Sequence, residues 1–472
     1  QVTGARVNAD KSVGLLLGEW RGEPTPAAAS GVGVWRWTEG PVKVLGVWFG
    51  PDLQVERNGE EVEIRVAILI QKWAERKLSL KGRAEVANTY IASVVYYRLT
   101  VVPCPKIILT KLERMLFRFL WKGQVPMVRK SICCQLPLRG GLGMPSMLIR
   151  RHALRLAHLQ SFLRQSGSDD DEDDVESIAW APFVRHVFPQ LVSLKELQSW
   201  VKRRPRLGAW HLECCQALTA LYKLGHEVDG SSTLAFYRGL VEGMSDDGLG
   251  AILGVDANSL SALFRRTFRS GTMDNFQKSL AWQCYRGALP VRDKLYRHGS
   301  ANNRTCPRCA QGDETVLHAL VQCPCIESLW VCVEGLLSRM GQIRLTAGSI
   351  IRIEPPTSLG TEGRLVFLCL VAMAKEVVWW SRLKGLRTDT FLSGQTLIDF
   401  FRFHLRRKLR VEREVLPSGV FYDRWVRVAR LTRLNGPSLS MLFKKKESNN
   451  LKGGKEKAGK GHFVFSYPFW SV

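Results

Sequence analysis

Hydrophobic residues along this chain follow two kinds of pattern. Near the start they form short unbroken runs, at 13–17 and in VKVLGVWF at 42–49. Such apolar, partly β-branched runs predict buried strands, with Gly46 marking a bulge or a close backbone approach. The Pro- and Gly-rich GEPTPAAASGVG between them predicts a loop. From about Glu60 the spacing changes to threes and fours. Val62, Val66, Leu69 and Trp73 predict one helix, and Ser79 is placed to cap a second through Tyr97. Pro103 and Pro105 then break the chain. A third helix carries Leu109, Leu112, Leu116 and Phe119 on one face, with Lys111, Arg114 and Arg118 elsewhere. Residues 148–163 predict a fourth.

Beyond an acidic run the pattern stays mostly helical from 178 to 300, with Trp180, Trp200, Trp210 and Trp282 as core aromatics. Phe276, Leu280, Cys284 and Leu295 read as apolar anchors. Residues 329–337 and 365–383 predict further helices. Leu397, Phe401, Leu405 and Leu409 stand at strict four-residue spacing, surrounded by Arg402, Arg406, Arg407, Lys408, Arg410 and Arg413. That is a basic amphipathic helix, suited to an anionic surface or to a solvated face. After Pro437 the pattern is lost, and 444–462 is a Lys/Gly tail expected to be disordered. The fold class that follows is mainly α, with a small α+β N-terminal piece.

Composition changes this picture in one respect. The net charge is +25, and removing the seven acidic residues of 169–176 leaves +32. A folded chain with 45% hydrophobic residues and 15 Trp carrying such a charge favours a polyanionic partner, RNA or DNA. The acidic run reads as a solvated linker. Twelve scattered Cys are not a small disulfide framework, which points to a reducing compartment, the nucleus and/or cytoplasm. The longest apolar run, 365–374, is too short to span a bilayer and ends in Lys375-Glu376, so no membrane partner is expected. No small-molecule substrate is evident. The chain opens QVTGARVNADK, without signal peptide or initiator Met, which reads as a piece of something longer. The Gly spacing of Arg139-Gly-Gly-Leu-Gly143 is too short for a dinucleotide fingerprint.

The most specific chemistry lies between 306 and 323. Cys306, Cys309, His318 and Cys323 supply three thiols and an imidazole, the ligand set of a closed tetrahedral Zn²⁺ site. A two-residue gap lets the first pair reach one ion from a tight turn, which Pro307 suits. Val316, Leu317 and Leu320 have helical spacing, so His318 presents its ring from a short helix. Cys325 is a further thiol that can replace Cys323; a small buried hydrophobe is the preferred reading. Four protein ligands leave no position for a catalytic water, so the zinc is structural.

Four stretches, in order, resemble the C-terminal half of a LINE-type (non-long-terminal-repeat) retrotransposon reverse transcriptase. GARVNADKSVGLLLG (4–18) is similar to the segment after the catalytic aspartates of the palm, and VKVLGVWFG (42–50) to the primer-grip hairpin. LERMLFRFLWKG with RGGLGMPS resembles the thumb and post-thumb region. WQCYRGALPVRDKLYRHG running into the Cys/His ligands resembles the zinc-binding segment. The resemblance implies a palm-like end at 1–55, a thumb and post-thumb region at 56–165 and the acidic linker at 166–177. A helical connector follows at 178–265, then the zinc-binding domain at 266–335. A basic helical region at 336–440 and the tail at 441–472 complete the division. It also implies polymerisation with two Mg²⁺ ions on palm aspartates in an intact parent. The Tyr/Phe-Ala-Asp-Asp motif does not occur in this sequence, no catalytic residue is assigned, and activity is not expected of this chain alone. Lys11 matches a palm lysine near the leaving pyrophosphate. The implied function is to grip template and primer. Candidate contacts are Lys11, Lys43, Arg114, Arg118, Arg286, Arg292, Lys294, Arg297, Arg406, Arg407, Lys408 and Arg410. The alternatives are part of an active polymerase whose catalytic half lies upstream, or a domesticated, non-catalytic interaction protein.

Overall fold

The computed structural model describes residues 12–16, 36–50, 55–165, 208–225, 232–244, 256–435 and 438–441. The loop read at 22–33, the acidic run and the Lys/Gly tail lie outside the described residues, as do Lys11, Trp180 and Trp200. The described part is mostly helical, with three two-stranded sheets.

Strand β1 (Val13–Leu15) pairs in parallel with β2 (Arg36–Thr38), a second strand that the loop reading did not anticipate. Residues 42–49 are not one strand but two. β3 (Val42–Val44) and β4 (Val47–Phe49) pair antiparallel, with Val44 opposite Val47. Leu45 and Gly46 between them have φ of 48° and 82°. Positive φ at both central residues is what a two-residue hairpin turn requires, so Gly46 serves the turn rather than a bulge. Leu45 tolerates that conformation with its side chain 83% exposed.

Helix α1 (Val55–Ala74) begins five residues before the apolar spacing suggested and buries Val62 and Val66. It docks the hairpin through Asn58, whose side chain accepts from the Trp48 amide at 2.9 Å and donates to the Trp48 carbonyl at 3.0 Å. Ser79 does cap α2 (Leu80–Val86), accepting from the Gly82 amide at 3.0 Å. The helix then widens into a π turn at Ala87–Ile91 and resumes as α3 (Ser93–Val101). Helix α4 (Lys106–Leu120) buries Leu109, Leu112, Leu116 and Phe119, the expected face. It crosses α1 so closely at Gly59 that a Cβ there would lie 2.2 Å from Ile108.

After α5 (Lys130–Cys134) the Arg139–Gly143 loop is a close-packing device. Gly140 has φ of +82°, and a Cβ there would meet Arg286 and Phe264 at 2.4–2.5 Å. The Gly140 carbonyl accepts from Trp282 Nε1 at 2.9 Å and from Arg286 at 2.7 Å. Helix α6 (Met147–Gln165) packs against α7 (Ala209–Tyr222) and α8 (Thr233–Glu242) around Leu156, Leu159, Cys214, Leu218 and Val241. Elements before and after the acidic run therefore share this smaller core.

A second, larger core runs from Val62 on α1 to Leu431. It takes in α9 (Ala257–Arg269), α10 (Asn275–Tyr285), the short α11 (Arg292–Arg297) and α12 (Glu327–Leu337). Then come α13 (Ala347–Arg352) and α14 (Thr361–Thr388), most of whose length is buried because its neighbours surround it. Helix α15 (Gly394–Val415) buries the expected stripe of Leu397, Phe401, Leu405 and Leu409. A short α16 (Ser418–Phe421) leads into a π turn and then a hairpin of β5 (Thr432–Asn435) and β6 (Ser438–Met441). Pattern thus continues past Pro437: a four-residue strand beyond it is too short to show periodicity. Of the expected core tryptophans within the described residues, Trp282 is fully buried and Trp210 half-buried.

Candidate metal centre

The four ligands come from two local structures. The first is a tight hairpin. Thr305 bridges Asp313, the Cys306 amide donates to the Gly312 carbonyl at 2.7 Å, and the Glu314 amide to that of Arg304 at 2.7 Å. Inside it, Pro307 favours the turn and the Ala310 amide closes onto the Cys306 carbonyl at 2.9 Å. Ala310 reverses the chain with φ of +54°. Cys306 and Cys309 therefore face one point.

The second is a short helical segment that becomes a π turn at His318–Gln322, closed by the Cys323 amide on the His318 carbonyl at 3.0 Å. In an α-helix, residues five apart sit about 140° apart around the axis. Widening to an i→i+5 turn brings His318 and Cys323 nearer to one face. Thr315 fixes the start, its hydroxyl accepting from the His318 amide at 3.1 Å.

The four ligand atoms lie within 4.8 Å of one another. Cys306 Sγ and Cys323 Sγ are 4.0 Å apart, and Cys309 Sγ is 3.3 Å from His318 Nε2. Tetrahedral zinc with Zn–S near 2.3 Å demands S···S edges of about 3.8 Å, so this set fits one ion. Cys325 is not in the set; its thiol points to the Arg308 carbonyl at 3.6 Å and is half-buried. The Cys306 thiol is pushed down by the hydrogen bond from Cys323 and by the backbone amides of Cys309 and Arg308.

Polar groups behind the ligands tie the hairpin to the helices. Arg308, from within the Cys-Pro-Arg-Cys turn, donates to the Ala319 carbonyl at 2.9 Å and to the Val378 carbonyl on α14. Its charge lies beside Cys323 and Cys306. Three thiolates around Zn²⁺ leave one net negative charge, which that guanidinium offsets. Glu314 accepts from Nε and Nη2 of Arg382 at 2.6 Å, each residue 1% exposed, and from the Arg292 amide at 2.8 Å. Sequence spacing offered no signal for this pair, which is 68 residues apart.

The candidate nucleic-acid residues distribute over several elements. Lys43 on β3 is exposed and paired with Glu61 at 2.8 Å. Arg114 and Arg118 are exposed on α4. Arg286 is engaged with the Gly140 carbonyl. Arg292, Lys294 and Arg297 share α11 beside the metal centre, where Lys294 donates to the Gly287 carbonyl at 2.6 Å and Arg297 pairs with Asp293. Arg406, Arg407 and Arg410 are exposed on α15, and Lys408 bonds Glu412 at 3.2 Å.

Residues 264–330 match the family described as zinc-binding in reverse transcriptase. The match encloses all four ligands and helix α11. The chain is also 33% identical over 163 residues to the Transposon TX1 uncharacterized 149 kDa protein of Xenopus laevis, a match covering 34% of this chain and 12% of that protein. Both matches support the retrotransposon reverse-transcriptase resemblance: residues 264–330 carry a zinc-binding segment of the reverse-transcriptase type, and a third of the chain is similar to part of a transposon protein. No helix among the described residues is long and apolar enough to cross a membrane.

Proposed function

We propose that this chain is the nucleic-acid-binding C-terminal region of a retrotransposon RNA-directed DNA polymerase, working in the nucleus and/or cytoplasm. It grips RNA or DNA template and primer on a fold stapled by one structural zinc at Cys306, Cys309, His318 and Cys323. The observation that carries the reading is the four-ligand cluster, gathered within 4.8 Å inside the segment that matches the reverse-transcriptase zinc-binding family. The net charge of +25 supports a polyanionic partner. The β3–β4 hairpin followed by helices α1–α4 supports reading 1–55 as the end of a palm and 56–165 as a helical thumb and post-thumb region. Residues 178–265 then act as connector, 266–335 as the zinc domain and 336–440 as the basic helical region.

The test is binding of labelled RNA and DNA oligonucleotides to the whole chain across a salt series. Phosphate contacts predict a log–log decline in affinity with a slope of about −0.7 to −0.9 per contact. Tight binding at low salt that weakens on this line is expected. Absence of binding at low salt removes the reading and leaves a protein interaction module.

A further inference from the structure

A cleft of about 530 Å³ opens beside the metal centre, between α11 and the Thr315–Val316 step that leads to His318. Lys294, Arg297 and His298 line it, together with Asp293, whose carboxylate pairs with Arg297. Lys294 is anchored, donating to the Gly287 carbonyl at 2.6 Å and the Met127 carbonyl at 3.2 Å. Burial and the adjacent Arg297 hold its ammonium below the usual lysine range, a state that a neighbouring phosphate would relieve.

On the same helix, Tyr296 keeps 44% of its surface exposed. Arg304 covers one face of the ring, its guanidinium 4.9 Å from the centroid. Arg304 is itself steadied by Asp293 at 3.9 Å, and its carbonyl is bonded into the metal hairpin by the Glu314 amide at 2.7 Å. The ring is thus braced on one side by the same hairpin that carries Cys306. An exposed aromatic ring braced by arginine and flanked by cations suits a base and its phosphates. Bases inside a duplex have both faces covered by their neighbours, so an unpaired base, and not an internal base pair, can stack there.

We infer that helix α11 beside the metal centre binds single-stranded nucleic acid, stacking one unpaired base on the exposed Tyr296 at the side of the cleft and seating a flanking phosphate in the cleft on Lys294 and Arg297. This rests on the nucleic-acid reading above and narrows it to a substrate class.

The experiment uses the whole chain with one labelled oligonucleotide, presented single-stranded and as a blunt duplex. Tyr296→Ala should weaken single-strand binding about 5- to 150-fold and leave duplex binding unchanged. Tyr296→Phe, which keeps the ring, should restore single-strand affinity. Equal loss on both substrates, or no loss, overturns the inference while the broader reading stands. Failure of the wild-type chain to bind either substrate overturns both. Should Tyr296→Ala also lower the metal-to-protein ratio, a 4-thiouridine strand photocrosslinked to the wild-type chain decides. A crosslink in the peptide containing Tyr296 upholds the inference, and crosslinks confined elsewhere end it.

Discussion

Two regions of this molecule are cross-linked by opposite means. Around Cys306–Cys323 the chain is mostly turn, and four ligand atoms converge on one point. Where α6 meets α7, the chain is regular helix and the cross-link is ionic. Glu213 accepts from Arg155 at 2.6 and 2.9 Å, from Arg151 at 3.1 Å and from the Cys104 amide at 2.8 Å. Arg155 is fully buried and lies over Trp210 at 3.4 Å. A metal site supplies free energy to local structure that has little core of its own. A buried ion triad offsets its own desolvation and mainly penalises its own disruption. The two regions should therefore fail differently.

The largest effect belongs to the metal. Structural zinc contributes about 10–16 kcal/mol in small zinc modules. Cys306→Ser or chelation should abolish metal binding and speed amide exchange through 304–323. The core helices α12 and α14, which pack on each other, should stay protected. Cys325→Ala should leave the metal-to-protein ratio unchanged, because that thiol faces the Arg308 carbonyl. Metal analysis with hydrogen exchange checks both; a lost metal in Cys325→Ala would redraw the ligand set.

Breaking the ionic region should cost less. Glu213→Ala leaves Arg151 and Arg155 buried without their carboxylate, a loss of about 3–5 kcal/mol in denaturant unfolding. Replacing all three members with apolar residues of similar volume should recover most of that loss, since no buried charge then remains. Recovery would separate this cross-link from the metal centre, where no apolar substitution of the ligands can restore the folded hairpin.

The same contrast governs what could be read from the residues. The zinc ligands were legible because metal chemistry constrains residue type and short spacing together. The stripe of Leu397, Phe401, Leu405 and Leu409 was legible because a helix face repeats. The β3–β4 turn was not, because a two-residue reversal at Leu45-Gly46 leaves an apolar run looking continuous. Glu213 with its arginines, and Glu314 with Arg382, were invisible because buried ion pairs obey no sequence period. Tyr296 was passed over among the cations of α11, although an aromatic ring between basic residues was itself a signal.

The finest probe of the comparison is pH. Burial, then the neighbouring Asp274, pushes Glu376 on α14 up to about 7 from 4.5, against the amide of Gln277 donating at 2.9 Å. The folded chain then holds a proton that the unfolded chain has released, so stability falls as pH rises from 4.5 through about 7, by at most about 3 kcal/mol. His152 on α6 behaves oppositely. Burial first, then Arg151, Arg155 and Lys106, pushes its imidazole down to about 3 from 6.5, and its buried Nδ1 has no hydrogen-bond partner. The unfolded chain takes up a proton that the folded chain refuses, so stability falls as pH drops from 6.5 towards 3. Glu376→Gln should flatten the neutral limb of a pH–stability profile and leave the acid limb alone. His152→Leu should flatten the acid limb and leave the neutral one. If either substitution flattens both limbs, Glu376 and His152 titrate as one network, and the assignment of one limb to each is wrong.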